Sequence, residues 1–151
     1  MTLPYSRRQL VLLPLLIFCF LLLVPLTAAL AEARFKMQSD SVFLDTKTGA
    51  MWQLERSRKI RSVEQAYAFL NSLNEGQYDD WRMPTDKELA ELFLLFDLRQ
   101  NGDVEIKLDG SYWHHQENGD ISAGSWELGD ECGPSRVFFP AKYGYLRAIR
   151  P

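Results

Sequence analysis

Cysteine is almost absent from this chain of 151 residues, which contains only Cys19 and Cys132. Cys19 lies in an apolar N-terminal segment and Cys132 is alone in the remainder, so a disulfide within one folded domain is excluded. A Cys-x-x-Cys redox or zinc motif is excluded for the same reason. Cys132 is predicted to be a small residue of a Gly-rich turn, or else half of an intermolecular disulfide in an oxidising compartment.

Histidine is equally scarce, since the two that occur are the adjacent pair His114 and His115. Adjacent side chains on a strand point to opposite faces, so this pair cannot bind one metal ion together in regular geometry. A Gly-rich phosphate loop and a nucleophile elbow are also lacking. We therefore expect no metal ion, no cofactor and no catalytic residue. A hydrolase or transferase that uses one of the histidines with a nearby carboxylate stays the alternative.

Basic residues are outnumbered, because 17 lysines and arginines face 20 acidic residues and give a net charge of −3. Two of the basic residues, Arg7 and Arg8, belong to the N-terminal segment, so the rest of the chain is more acidic still. An acidic domain repels phosphate backbones, which argues against nucleic acid as a partner. The oxygen-rich residues between 97 and 109 do not have the EF-hand spacing and predict a solvated acidic loop, with a cation site as the alternative.

The longest apolar run follows Arg7 and Arg8, because residues 10–31 carry no charge. A basic start, an apolar stretch and an Ala-rich end are typical of a signal peptide. The same 22 residues are also enough for a transmembrane helix. Residues 1–31 are therefore predicted to be a signal peptide or an N-terminal membrane anchor. In both cases the arginines hold the N-terminus in the cytoplasm, so residues 32–151 are expected in the periplasm or cell envelope, either secreted or anchored to the inner membrane through residues 10–31.

Residues 32–151 show strand patterns at both ends and helix patterns between them. Ser62 with Gln65, and Thr85 with Glu88, are capping-box signatures at the start of two apolar repeats of helical period. The order of strands, two helices and then strands predicts an α+β fold with a mainly antiparallel sheet. The predicted strands are 41–45, 50–54, 111–116, 122–128, 136–140 and 143–150, and the predicted helices are 62–74 and 85–98, followed by a loop over 99–110.

Four ordered motifs resemble a known family. They are Asp45-(x)3-Gly49-Ala50-Met51-Trp52, Asp80-Trp81-Arg82-Met83-Pro84-Thr85 with Glu88-Leu89, Ser111-Tyr112-Trp113, and Tyr145-Leu146-Arg147-Ala148-Ile149-Arg150. Together they resemble the Lcl C-terminal domain family, a domain of unknown function named from a bacterial collagen-like surface adhesin. The resemblance covers residues 41–151. The Arg-x-Pro-Thr helix start is also similar to formylglycine-generating and C-type-lectin-like folds, although a formylglycine-type enzyme would need more cysteines than this chain has.

The resemblance implies a non-enzymatic, adhesin-like or lectin-like binding module whose partner is a glycan or another envelope protein. Binding of sulfated glycosaminoglycans, which is associated with the family's named adhesin, needs a basic surface, whereas this domain is acidic. Aromatic rings stack on sugars and arginines pair with carboxylates, so these side chains in the family motifs are the candidate ligand-binding residues: Trp81, Arg82, Trp113, Tyr145 and Arg147.

Two structural alternatives stand beside that hypothesis. Trp81 lies between a turn and the helix that begins at Thr85, so we expect it to be buried against Leu89 and Phe93 rather than to contact a ligand. The domain could also be an accessory subunit without a small ligand, which binds its partner through exposed aromatics. The aromatics expected to be exposed are Tyr112, Phe138 and Tyr143.

Overall fold

Seven strands and two helices follow one another in the computed structural model, which describes residues 33–129 and 135–151. The predicted leader, residues 1–31, lies outside these ranges. No helix within them is long and apolar enough to cross a membrane. The elements are β1 (Phe35–Ser39), β2 (Val42–Asp45), β3 (Met51–Gln53), α1 (Val63–Asn74), α2 (Asp86–Asp97), β4 (Tyr112–His115), β5 (Ile121–Leu128), β6 (Arg136–Ala141) and β7 (Ile149–Arg150).

The strands form two antiparallel sheets, one in the order β1-β2-β3-β7 and the other in the order β4-β5-β6. Two helices and antiparallel strands confirm the predicted α+β class. The likeness to C-type-lectin-like or formylglycine-generating folds stays a prediction. Strand β1 was not predicted; it is an edge strand that pairs with β2 and buries only Phe35.

The predicted strand over residues 143–150 is wrong for most of its length, since only Ile149 and Arg150 form β7. The residues before them satisfy their backbone groups one at a time with separate loops. Gly144 exchanges hydrogen bonds with Ile60, and the Leu146 carbonyl accepts one from Ser57 at 2.8 Å. An extended segment bonded to several partners has a strand-like sequence but belongs to no continuous ladder.

Both helices begin where the capping signatures predicted. The Ser62 side chain accepts a hydrogen bond from the Gln65 amide at the start of α1. At the start of α2, Thr85 and Glu88 satisfy each other's backbone amides in a complete capping box. These local bonds fix the positions of α1 and α2 because the first amides of a helix have no partner within the helix.

Consecutive strand residues enter two different apolar clusters. Val42 belongs to one cluster and Phe43 to the other, and Tyr112 and Trp113 are divided in the same way. Side chains alternate between the two faces of a strand, so the strands have an apolar cluster on each face. Cluster A contains Phe35, Phe43, Trp52, Leu89, Leu92, Phe93, Leu95, Val104, Tyr112, Trp126 and Ile149. Cluster B contains Val42, Ile60, Ala66, Leu70, Trp81, Met83, Trp113, Ala123, Leu146 and Ala148.

Trp81 is buried as predicted, with 7% of its surface exposed. Its predicted contacts with Leu89 and Phe93 are wrong, because it belongs to cluster B and they belong to cluster A. Helix α2 presents its apolar side to cluster A, whereas the chain just before it passes the other face of the strands. Proximity in sequence therefore gave the correct burial of Trp81 and the wrong neighbours.

Candidate functional site

A cleft of about 410 Å³ opens between the sheet β4-β5-β6 and the start of α2. One wall is aromatic and the other carries amides and carboxylates. This combination can contact both the apolar face and the polar groups of a small ligand. This cleft, called the His114 cleft below, is lined by Asp86, His114, Gln116, Glu117, Asn118, Trp126 and Phe138.

The aromatic wall depends on Gly124, which lies in β5 beside Trp126. A Cβ atom at Gly124 would come within 2.3 Å of two atoms of the Phe138 ring, so only glycine leaves room for that ring. The Phe138 ring contacts His114 edge-on at 5.3 Å and Trp126 at 5.1 Å between centroids. Although packed on three sides, Phe138 is still 37% exposed. It therefore offers an aromatic surface that is held in place and reachable from solvent.

His114 is almost fully buried and forms the floor of the cleft. Its Nδ1 lies 3.2 Å from the Tyr112 carbonyl, and its Nε2 lies 3.0 Å from the Ser122 hydroxyl. A carbonyl can only accept, so Nδ1 carries the proton and Nε2 accepts from Ser122. Gln116 in turn donates to Ser122 Oγ at 2.9 Å. Burial lowers the pKa of His114 from its ordinary value of 6.5, so the ring is neutral at pH 7.

The polar rim of the cleft is held by short bonds between neighbouring side chains. Glu117 forms an ion pair with Lys87. Asn118 donates to Asp120 at 2.8 Å, and Asp86 accepts a hydrogen bond from the Lys87 amide at 2.8 Å. Since these residues are exposed or half-buried, their remaining donors and acceptors can reach a ligand.

None of the five predicted ligand-binding residues lines this cleft, although Trp81 and Trp113 share cluster B. Trp113 is buried and its indole lies 3.3 Å from the Ile60 carbonyl. Trp81 lines a separate cleft of about 300 Å³ beside the end of α1. The exposed side chain of Arg82 pairs with Glu88 at 2.6 Å.

The other two predicted residues, Arg147 and Tyr145, contact backbone carbonyls and a neighbouring arginine, respectively. Arg147 is 1% exposed and donates to the Gln53 carbonyl at 2.8 Å and the Lys107 carbonyl at 3.1 Å. Burial lowers the pKa of Arg147 from its ordinary value. The half-buried ring of Tyr145 lies beneath the Arg56 guanidinium at 3.8 Å. Ligand binding by these residues stays a prediction, while their contacts here are structural.

Among the aromatics expected on the surface, Phe138 and Tyr143 are exposed. The prediction that Tyr112 is exposed is wrong, since the side chain is completely buried and its hydroxyl donates to the Lys107 carbonyl at 2.7 Å. It points into cluster A because it stands next to Trp113, which fills cluster B.

The acidic residues of the loop that follows α2 do not converge in the described part of the chain. Residues 33–129 and 135–151 contain no group of three or more His, Cys, Asp or Glu side chains that could hold a metal ion. Asp97 instead receives two hydrogen bonds from the Arg136 guanidinium, each 2.7 Å long.

A protein-family model described as the Lcl C-terminal domain matches residues 41–150. Neither the curated proteins nor the solved structures gave a match. The matched range includes both helices, every described strand except β1, and the whole lining of the His114 cleft.

Proposed function

The chain belongs to the Lcl C-terminal domain family over residues 41–150, and from this premise we propose that it is a non-enzymatic binding module of the bacterial cell envelope. We further propose that the His114 cleft holds its ligand and that the ligand is a sugar or another small molecule rich in hydroxyl groups. The observation that carries the proposal is the exposed face of Phe138 opposite a rim of amides and carboxylates.

Sugars have an apolar C–H face and a periphery of hydroxyl groups. The first stacks on an aromatic ring, and the second exchanges hydrogen bonds with amides and carboxylates. The cleft supplies Phe138 for stacking and Gln116 and Asn118 for hydrogen bonds. A volume of about 410 Å³ lies within the range of small-ligand sites. His114 adds a neutral, fixed floor rather than a charge.

A glycan and small-molecule screen on the purified protein tests this proposal, followed by titration of the best ligand into Phe138→Ala. Loss of the stacking ring should weaken binding by about tenfold or more. Phe139→Ala is the matched control, because Phe139 is the adjacent exposed phenylalanine and points to the opposite face of β6. Equal affinities for the two variants would refute the His114 cleft as the ligand site.

The envelope location rests on the predicted leader and has its own test. A phosphatase reporter that is active only outside the cytoplasm, fused after Pro151, should be active in a bacterial host. Mass spectrometry of the product then distinguishes cleavage near Ala31 from a retained anchor. Activity of a strictly cytoplasmic reporter at the same position would contradict the proposed location.

A second candidate function is acyl transfer, and one observation favours it. The Ser122 hydroxyl lies 3.0 Å from Nε2 of a neutral histidine, which is the contact that activates a serine nucleophile. However, Ser122 does not line the cleft and its Oγ already accepts a hydrogen bond from Gln116. A fluorophosphonate probe should therefore leave Ser122 unlabelled. Labelling that disappears in both Ser122→Ala and His114→Ala would establish the hydrolase instead.

A further inference from the structure

The two edges of strand β5 are paired with neighbouring strands over different lengths. Strand β6 pairs with it from Ala123 to Leu128, whereas β4 pairs with it only from Ile121 to Gly124. Within residues 33–129 and 135–151, no strand continues β4 alongside residues 125–128. In its place is a cleft of about 560 Å³, lined by residues 108–111, residues 125–128 and Arg136.

The backbone direction at this edge follows from bonds on either side of it. The Gly129 amide donates to the Ser135 carbonyl at 3.0 Å, so the odd-numbered residues of β5 turn their backbone groups toward β6. Alternate residues turn theirs to the opposite side. Pro140, the partner of Gly124 in β6, has no N–H to donate, which agrees with this alternation. The Trp126 carbonyl accepts instead from the side chain of Arg136, whose Nη1 lies 2.5 Å away. The N–H and C=O groups of Trp126 and Leu128 therefore face the open cleft.

We propose that this edge accepts an extended peptide, which adds to the sheet as a strand beside Ser125–Leu128. Arg136 Nη1 donates to the Trp126 carbonyl, as the amide of a neighbouring strand would. The other two nitrogens of its guanidinium donate to Asp97. An incoming peptide amide takes the place of Arg136 at Trp126. Pairing with Leu128 extends the ladder by the usual route of β-strand addition.

The side chains around the edge select an alternating partner. Glu127 is exposed on the outer face, and the Asp109 carboxylate on the opposite wall is 76% exposed. On the inner side, Leu128 is 63% exposed and Leu108 is half-buried. Directly opposed side chains on a sheet interact most strongly, so the fitting peptide alternates basic residues, beside Glu127, with apolar residues beside Leu128.

Amide hydrogen exchange on the full-length protein in detergent, followed by NMR, tests the pairing. The probes are a synthetic hexapeptide that alternates valine and lysine, its valine and glutamate counterpart, and the lysine peptide with methylated backbone nitrogens. The Trp126 and Leu128 amides should exchange rapidly alone and slow by about tenfold or more with the lysine peptide only. Slow exchange without peptide, or equal protection by the methylated peptide, would overturn strand addition.

Leu128→Pro removes one amide that faces the cleft, and Leu128→Ala keeps it as the matched control. We expect the proline variant to bind the lysine peptide about tenfold more weakly and the alanine variant to bind it nearly as well as the native chain. Glu127→Lys gives a readout that does not depend on whether proline is tolerated, since it should reverse the preference toward the glutamate peptide. Unchanged preference, or a dimer of the chain that forms through this edge without peptide, would refute the proposed partner.

Discussion

At the scale of single residues, the His114 cleft depends on Gly124 and the ring above it. Gly124 has no side chain, and the space that remains is filled by Phe138 from the neighbouring strand. Both residues were predicted to lie in strands, but their contact could not be predicted because neither segment alone determines how β5 pairs with β6. A Gly-x-Trp segment opposite an exposed Phe is visible only once the register Trp126↔Phe138 is known.

The buried imidazole of His114 predicts a pH-dependent stability. Burial lowers its pKa in the folded state, so the unfolded chain binds the proton more readily. Stability from this group is complete above about pH 6.5 and falls as the pH drops toward the folded-state pKa. Between about pH 7 and about pH 5, the melting temperature should decline less in His114→Asn than in the native chain.

Calorimetry at several pH values measures that slope, with His115→Asn as the control because it leaves His114 in place. Carboxylates such as Asp45 and Glu88, whose pKa is lowered in the fold, lose their contribution to stability at a lower pH than His114 does. They therefore do not affect the difference between the native chain and His114→Asn. Parallel slopes for the native chain and His114→Asn would show that His114 does not cause the acid sensitivity.

At the scale of elements, the helices were the most predictable part of the fold. The start of each helix is determined by a few residues close in sequence, such as Thr85 and Glu88, which form hydrogen bonds with each other. The segment around β7 was mispredicted because its ladder joins residues far apart in sequence. Pairing of Met51 with Arg150, for example, joins the beginning of the domain to its end. Strand β1 pairs with its neighbour β2 in a hairpin and was missed although its partner is close, since it buries only Phe35.

The capping box of α2 gives an element-scale prediction. Thr85→Ala removes the side-chain acceptor of the Glu88 amide, a bond of 3.2 Å, and should lower the free energy of unfolding by about 1 kcal/mol. Glu88→Gln keeps an acceptor for the Thr85 amide but loses the charge and the second acceptor that face the exposed Arg82. Because an exposed ion pair contributes under about 1 kcal/mol, a smaller loss is expected. Urea denaturation measures both, and an equal or larger loss in Glu88→Gln would contradict the assignment of the stability to the cap.

At the scale of the whole domain, one set of strands separates cluster A from cluster B. The C-terminal segment shows the arrangement most compactly, because Ala148 enters cluster B and the next residue, Ile149, enters cluster A. Period-two patterns along the strands predicted antiparallel sheets, but two-sided burial makes both alternate positions apolar. The sequence therefore could not reveal which face of the strands each helix covers.

Because the two clusters share their strands, we predict that they unfold together. Trp52 is buried in cluster A and Trp81 in cluster B, and truncation of a buried tryptophan costs about 3–5 kcal/mol in lost burial and in the cavity left behind. Trp52→Ala and Trp81→Ala should each shift one common unfolding transition to lower denaturant. Calorimetry together with circular dichroism on residues 33–151 checks this, since a two-state domain gives coincident transitions by both methods. If Trp81→Ala instead produced two separate transitions, with the cluster around Trp52 melting at its original temperature, the strands would not couple the two clusters.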